Sequence, residues 1–139
     1  MKKYSLIGLC LLVITCISHA ADTPASENSA APKSSFQTVF KTLEEQRDAM
    51  LKAVQAKDTH ALHQLDATIN QEIDDLLKKP LPVAVDQTKK VTDALKDIGA
   101  QASAAHRDAH AAKWDDAATA QTTLAADLKV VFHESGMKE

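Results

Sequence analysis

The 139-residue chain is short of several residues on which protein chemistry often rests: it has two cysteines, three glycines, four prolines, three phenylalanines, one tryptophan and one tyrosine. Both cysteines, Cys10 and Cys16, fall near the start, so everything beyond them is without disulfides, thiolate nucleophiles or a CxxC metal site. So few glycines leave no phosphate-cradling loop and no strained elbow to present a catalytic serine. HExxH and calcium-loop patterns are missing, and the acidic residues show no isolated catalytic pairing, so the expectation is a protein that is not an enzyme. The charge balance, 16 basic against 19 acidic residues, contains no basic patch and argues against nucleic acid as a partner. No alternating pattern suggests a β-strand, and beyond the first twenty residues no apolar run is long enough to span a bilayer.

What is present begins with "MKKYSLIGLCLLVITCISHA". Lys2 and Lys3 form a positive start, Leu6 to Ile17 an apolar run of about a dozen residues, and Ser18-His19-Ala20 a small-x-small cleavage pattern. This pattern predicts a secretory signal peptide over 1–20, cleaved after Ala20, and a periplasmic destination. Lipid anchoring at Cys16 competes with it, but Thr15 stands where glycine, alanine or serine is expected. Loss of Lys2 and Lys3 would make the mature chain two units more acidic than the −3 of the full sequence. Residues 21–34, with two prolines and small polar residues, read as a flexible tether.

From Phe36 onward apolar residues recur every three or four positions, which is the period of an amphipathic helix. The stripes predict helices at about 36–56, 59–78, 84–111 and 115–134. The first would be capped by Ser34 or Ser35, the second by Asp58 or Thr59 and the fourth by Asp115 or Asp116. Pro80 and Pro82 would end the second helix, and Gly136 would close the fourth. Gly99, costing about 1 kcal/mol in a helix interior relative to alanine, marks a kink or a close helix contact. Four helices with short connections give an all-α fold, an antiparallel up-down-up-down four-helix bundle. The alanines Ala102, Ala105 and Ala109 would admit a close neighbour, either another helix of the chain or a second copy, so both monomer and homodimer fit.

That topology gathers Met50, His60, His63, His106, His110 and Trp114 at one end of the bundle. Imidazoles three or four positions apart on a helix can share a Zn, Cu or Ni ion. On a helical wheel His106 lies roughly 60° and His110 roughly 100° from the centre of their stripe, His63 about 120° from its own, and His60 nearly opposite. The candidate metal ligands are therefore His106, His110 and His63, with Asp108 as an alternative partner; a four-histidine cage is disfavoured. Solvated border histidines without any ligand explain the same pattern, and Met50 on an apolar stripe reads as core filling. As a third use, histidine is the side chain suited to sensing pH near neutrality.

The arrangement resembles the periplasmic cytochrome b562 family over residues 36 to 134. The resemblance is carried by "VFKTL" (39–43), the proline-marked turn after the second helix, "AKWDDA" (112–117, counting from Ala112) and "LAADLKVVFHES" (124–135). It implies an exported four-helix bundle with haem b between the first and fourth helices, and His133 as the haem ligand. Phe40 occupies the place of the family's axial methionine, and Phe36, Phe40 and Phe132 converge where a porphyrin would sit. The functional expectations are thus haem or transition-metal binding for electron transfer or metal handling, or a cofactor-free envelope interaction or stress-related bundle with an unknown protein partner.

Overall fold

The computed structural model describes residues 30–137, with side chains from Ser35 onward. The signal-peptide, Cys16 and cleavage-site expectations, and the tether up to residue 29, lie outside the described residues. Four helices follow in order: α1 (Ala30–Ala56), α2 (Thr59–Leu77), α3 (Val85–His110) and α4 (Trp114–Glu134). Each packs against the next in chain order and α4 returns to α1, so the protein is a four-helix bundle.

The predicted boundaries hold to within a residue or two except at the start of α1. Residues 30–34, assigned above to a tether, are helical, and Ser34 and Ser35 lie inside the helix instead of capping it. Pro32 does not prevent this, because in a first turn the backbone N–H it lacks has no intrahelical acceptor anyway. Asp58 caps α2 as expected, its side chain accepting from the Ala61 N–H at 3.0 Å. The cap expectation for α4 is corrected: Lys113 occupies the N-cap without a side-chain bond, and Asp115 and Asp116 stand in the first turn, where they face the positive end of the helix dipole. Gly136, at φ +66°, closes α4, and its N–H donates to the His133 carbonyl.

The two tight hairpin tips share one construction. The Lys57 N–H donates to the Val54 carbonyl and the Asp58 N–H to that of Ala53; at the other tip Ala112 donates to Ala109 and Lys113 to Asp108. These are Schellman turns, which place one residue in the left-handed region. Here the residues are Lys57 (φ 56°) and Ala112 (φ 58°), neither of them glycine.

The apolar stripes close into one core containing Phe36, Phe40, Leu43, Met50, Leu62, Ile69, Leu95, Ile98, Leu124 and Leu128. Met50 is fully buried and fills it, as its position on the stripe suggested. The α3–α4 seam is the most extensive and the α1–α4 seam the least. Side-chain size accounts for the difference. Ala94, Ala102, Ala105 and Ala109 of α3, with Ala117 and Ala120 of α4, are buried and hold no bulk between the backbones. On α1 and α4 the Phe40 and Phe132 rings stack with centroids 5.8 Å apart. The alanine face of α3 is thus covered within the chain itself.

Candidate functional site: a histidine–carboxylate chain between two helices

Gly99 sets the geometry of the α2–α3 seam. A Cβ placed there would lie 2.5 Å from Asn70 Oδ1, so any larger residue would require the Asn70 amide to shift. The close-contact alternative raised by the sequence is therefore the one realised. Neighbours along this seam step in opposite directions on the two helices, 63 with 106, 66 with 103 and 70 with 99, so α2 and α3 run antiparallel.

This register brings Asp66 under His106. His106 Nδ1 lies 2.9 Å from Asp66 Oδ2, and the pair is half-buried, with side chains 18% and 17% exposed. Asp66 Oδ1 accepts from Ser103 Oγ at 2.7 Å and from Asn70 Nδ2 at 2.7 Å; Asn70 also donates to the Asp66 backbone carbonyl. A carboxylate can only accept, so Asp66 draws a His106 proton to Nδ1, which in the neutral imidazole leaves Nε2 with a lone pair. His63 Nδ1 lies 3.3 Å from that nitrogen, within reach of a hydrogen bond whose donor is set by the tautomers of the two rings. The result is a chain from His63 through His106 to Asp66, with Ser103 and Asn70 holding the carboxylate from its other side.

The remaining predicted residues take different places around it. His110 packs its ring edge-on against His106, with centroids 4.7 Å apart. His60, His63, His110 and Thr59 line an open groove of about 340 Å³ beside the chain. His60 itself pairs with Gln64 at 3.1 Å, and Asp108 turns to Arg107 at 3.6 Å and takes no part. Trp114 is half-buried against the core at this end of the bundle. Among the described residues, no group of three or more His, Cys, Asp or Glu side chains stands ready as it is to hold a metal ion. What is preformed is a two-nitrogen pair with its orienting carboxylate.

Asp66, Ser103 and Asn70 were not singled out in the sequence. A signal for them exists: Asp66 and Asn70 stand three and seven positions after His63, while Ser103 precedes His106 by three. It becomes visible only once the α2–α3 register is known.

At the opposite end of the bundle, His133 stands on the outer side of α4, with its side chain 87% exposed and Glu134 at 3.8 Å. Phe40 is buried and Phe132 half-buried where an inward ligand would have to reach. These residues do not fit a haem held by His133, because an axial nitrogen must point between the helices and this one points into solvent.

Within the class defined by its fold, the protein is a four-helix bundle with a polar histidine seam, and no helix among the described residues is long and apolar enough to cross a membrane. Comparison with family profiles, characterised proteins and solved structures finds no match to the chain.

Proposed function

We propose that the protein is an exported, non-catalytic helical bundle that binds a divalent transition-metal ion, Zn, Cu or Ni, for metal handling, through His63 Nδ1 and His106 Nε2. The observation that carries this proposal is the 3.3 Å spacing of those nitrogens together with the Asp66 carboxylate on the far side of His106. Two imidazole nitrogens bound to one zinc at 2.0–2.1 Å in tetrahedral geometry lie about 3.3 Å apart. A metal-bound histidine characteristically donates its other N–H to a carboxylate, which fixes its tautomer and raises its basicity. Binding would require the His63 tautomer with its proton on Nε2, leaving both lone pairs to the metal. His110 would turn in as a third ligand, and water would complete the coordination sphere.

Calorimetric titration of the chain from Ala21 with Zn, Cu(II) and Ni salts tests this. One saturable site, lost in His106→Ala, is the expected outcome; heat indistinguishable from buffer for all three metals refutes it. Export is supported by the positive, apolar and small-x-small pattern of residues 2–20, and an intact mass beginning at Ala21 is the result expected for secreted material.

A cofactor-free bundle is the second reading, supported by the bonds of Ser103 and His106 on α3 to Asp66 on α2. In that case the histidine chain is a polar clamp fixing α2 on α3. His106→Ala would then lower stability without changing the response to metal.

A further inference from the structure

A second cavity lies away from the histidines, on the α1–α4 seam. It is a groove of about 580 Å³, within the roughly 300–1,000 Å³ of small-ligand sites. It arises from the packing difference between the seams, since the Phe40 and Phe132 rings keep α1 and α4 apart where alanines bring α3 and α4 together. Its floor is apolar, made of Phe40, Leu128, Phe132 and Met137. Met137 reaches it because the left-handed turn at Gly136 folds the chain back after α4, and it packs on the core as a half-buried side chain.

The rim is charged asymmetrically. Lys41 on α1 and Lys129 on α4 are both exposed, border the same groove from its two walls and enter no ion pair among the described residues. Arg47, also on the rim, is held by its neighbour Asp48 at 2.8 Å. Among the described residues lining the groove, Glu44 supplies the one carboxylate. Two uncommitted ammonium groups over an aromatic and aliphatic floor, in a chain of net negative charge, suit a ligand that carries both an apolar body and a negative head.

We propose that the α1–α4 groove binds a small amphipathic anion, a carboxylate or sulfonate with an apolar body, its body against Phe40, Leu128, Phe132 and Met137 and its head between Lys41 and Lys129. Glu44 opposes the ligand's charge and tunes affinity downward. The site is independent of the histidine chain, which lies at the other end of the bundle.

The test is a fluorescence titration of the intact protein with 1-anilinonaphthalene-8-sulfonate at neutral pH, followed by displacement with decanoate and with 1-decanol. The expected result is one saturable site per chain, displaced by decanoate at a concentration at least fivefold below that of decanol. The double variant Lys41→Glu/Lys129→Glu should weaken binding at least tenfold, and Lys41→Gln/Lys129→Gln should weaken it by less. Glu44→Gln should strengthen it two- to threefold, and His106→Ala should leave it unchanged. Circular dichroism and the melting midpoint establish that each variant is folded; the glutamine pair keeps the test decisive if the charge-reversed pair does not fold. Equal displacement by decanol, or affinity unchanged in folded lysine variants, overturns the proposal, as does a probe signal that tracks a dimer in which a second copy covers the groove.

Discussion

Replacing Gly99 by alanine should destabilise this protein, although the same change in an unencumbered helix interior stabilises by about 1 kcal/mol. The new Cβ would stand 2.5 Å from Asn70 Oδ1 and 3.6 Å from Ile73 Cδ1. The second contact is ordinary, whereas the first requires Asn70 to move. Asn70 is held by donations to Asp66 Oδ1 at 2.7 Å and Ser103 Oγ at 3.2 Å. A hydrogen bond to a charged group contributes about 1.5–3 kcal/mol and a neutral one about 0.5–1.5. With both at the lower end because the site is partly exposed, the loss is about 2 kcal/mol against a gain of about 1, a net cost of about 1 kcal/mol. In an Asn70→Ala background the obstruction is gone, and Gly99→Ala should then stabilise by about 1 kcal/mol. Urea unfolding of the four proteins in this cycle measures both effects, and the sign reversal is the diagnostic. A Gly99→Ala change that stabilises equally in both backgrounds would refute the view that glycine is present to seat Asn70 and, through it, Asp66.

Four further substitutions follow from the local geometry. Lys57→Gly and Ala112→Gly should each stabilise the fold by about 1 kcal/mol, because both positions lie in the left-handed region where a side chain costs roughly 1–2 kcal/mol; unchanged denaturation midpoints would contradict this. Burial raises the Asp127 carboxyl above its ordinary value, and the nearby Asp97 charge adds to the effect. A raised folded-state value means the native protein holds the proton longer than the unfolded chain, so the cost appears as pH rises through and above the ordinary carboxylate range. Asp127→Asn should accordingly raise the unfolding midpoint at pH 7 and lose that advantage towards pH 3, and an advantage independent of pH would show the account of Asp127 to be wrong. Asp66→Asn should lower zinc affinity about 10- to 100-fold while leaving the helix content unchanged, measured by calorimetry alongside circular dichroism.

The helices were legible because apolar residues at three- and four-residue spacing leave little alternative, and Asp58 and Gly136 carried their local chemistry openly. The start of α1 was less legible, since Ser34 and Pro32 favour a boundary locally but are also tolerated in a first helical turn. The α4 cap was misassigned because Asp115 and Asp116 suit a first turn as well as a cap, and only the backbone angles separate the two. His106 on the core border and His60, His63 and His110 outside it followed from the helical wheel. Asp66 did not, because its partner lies 40 residues away on another helix and the pairing depends on a register set by packing at Gly99. The outward position of His133 is seen in its exposed side chain, not in the resemblance, which implies an inward ligand.

The central claim is that His63 Nδ1 and His106 Nε2 form one metal-binding pair oriented by Asp66. Imidazole nitrogen-15 spectra of the protein, recorded before and after one equivalent of zinc, test it most directly. The account predicts that metal-free His106 carries its proton on Nδ1, and that zinc shifts His63 Nδ1 and His106 Nε2 together while His133 stays unchanged. Spectra in which zinc leaves both nitrogens where they were, or shifts His133 instead, would contradict it.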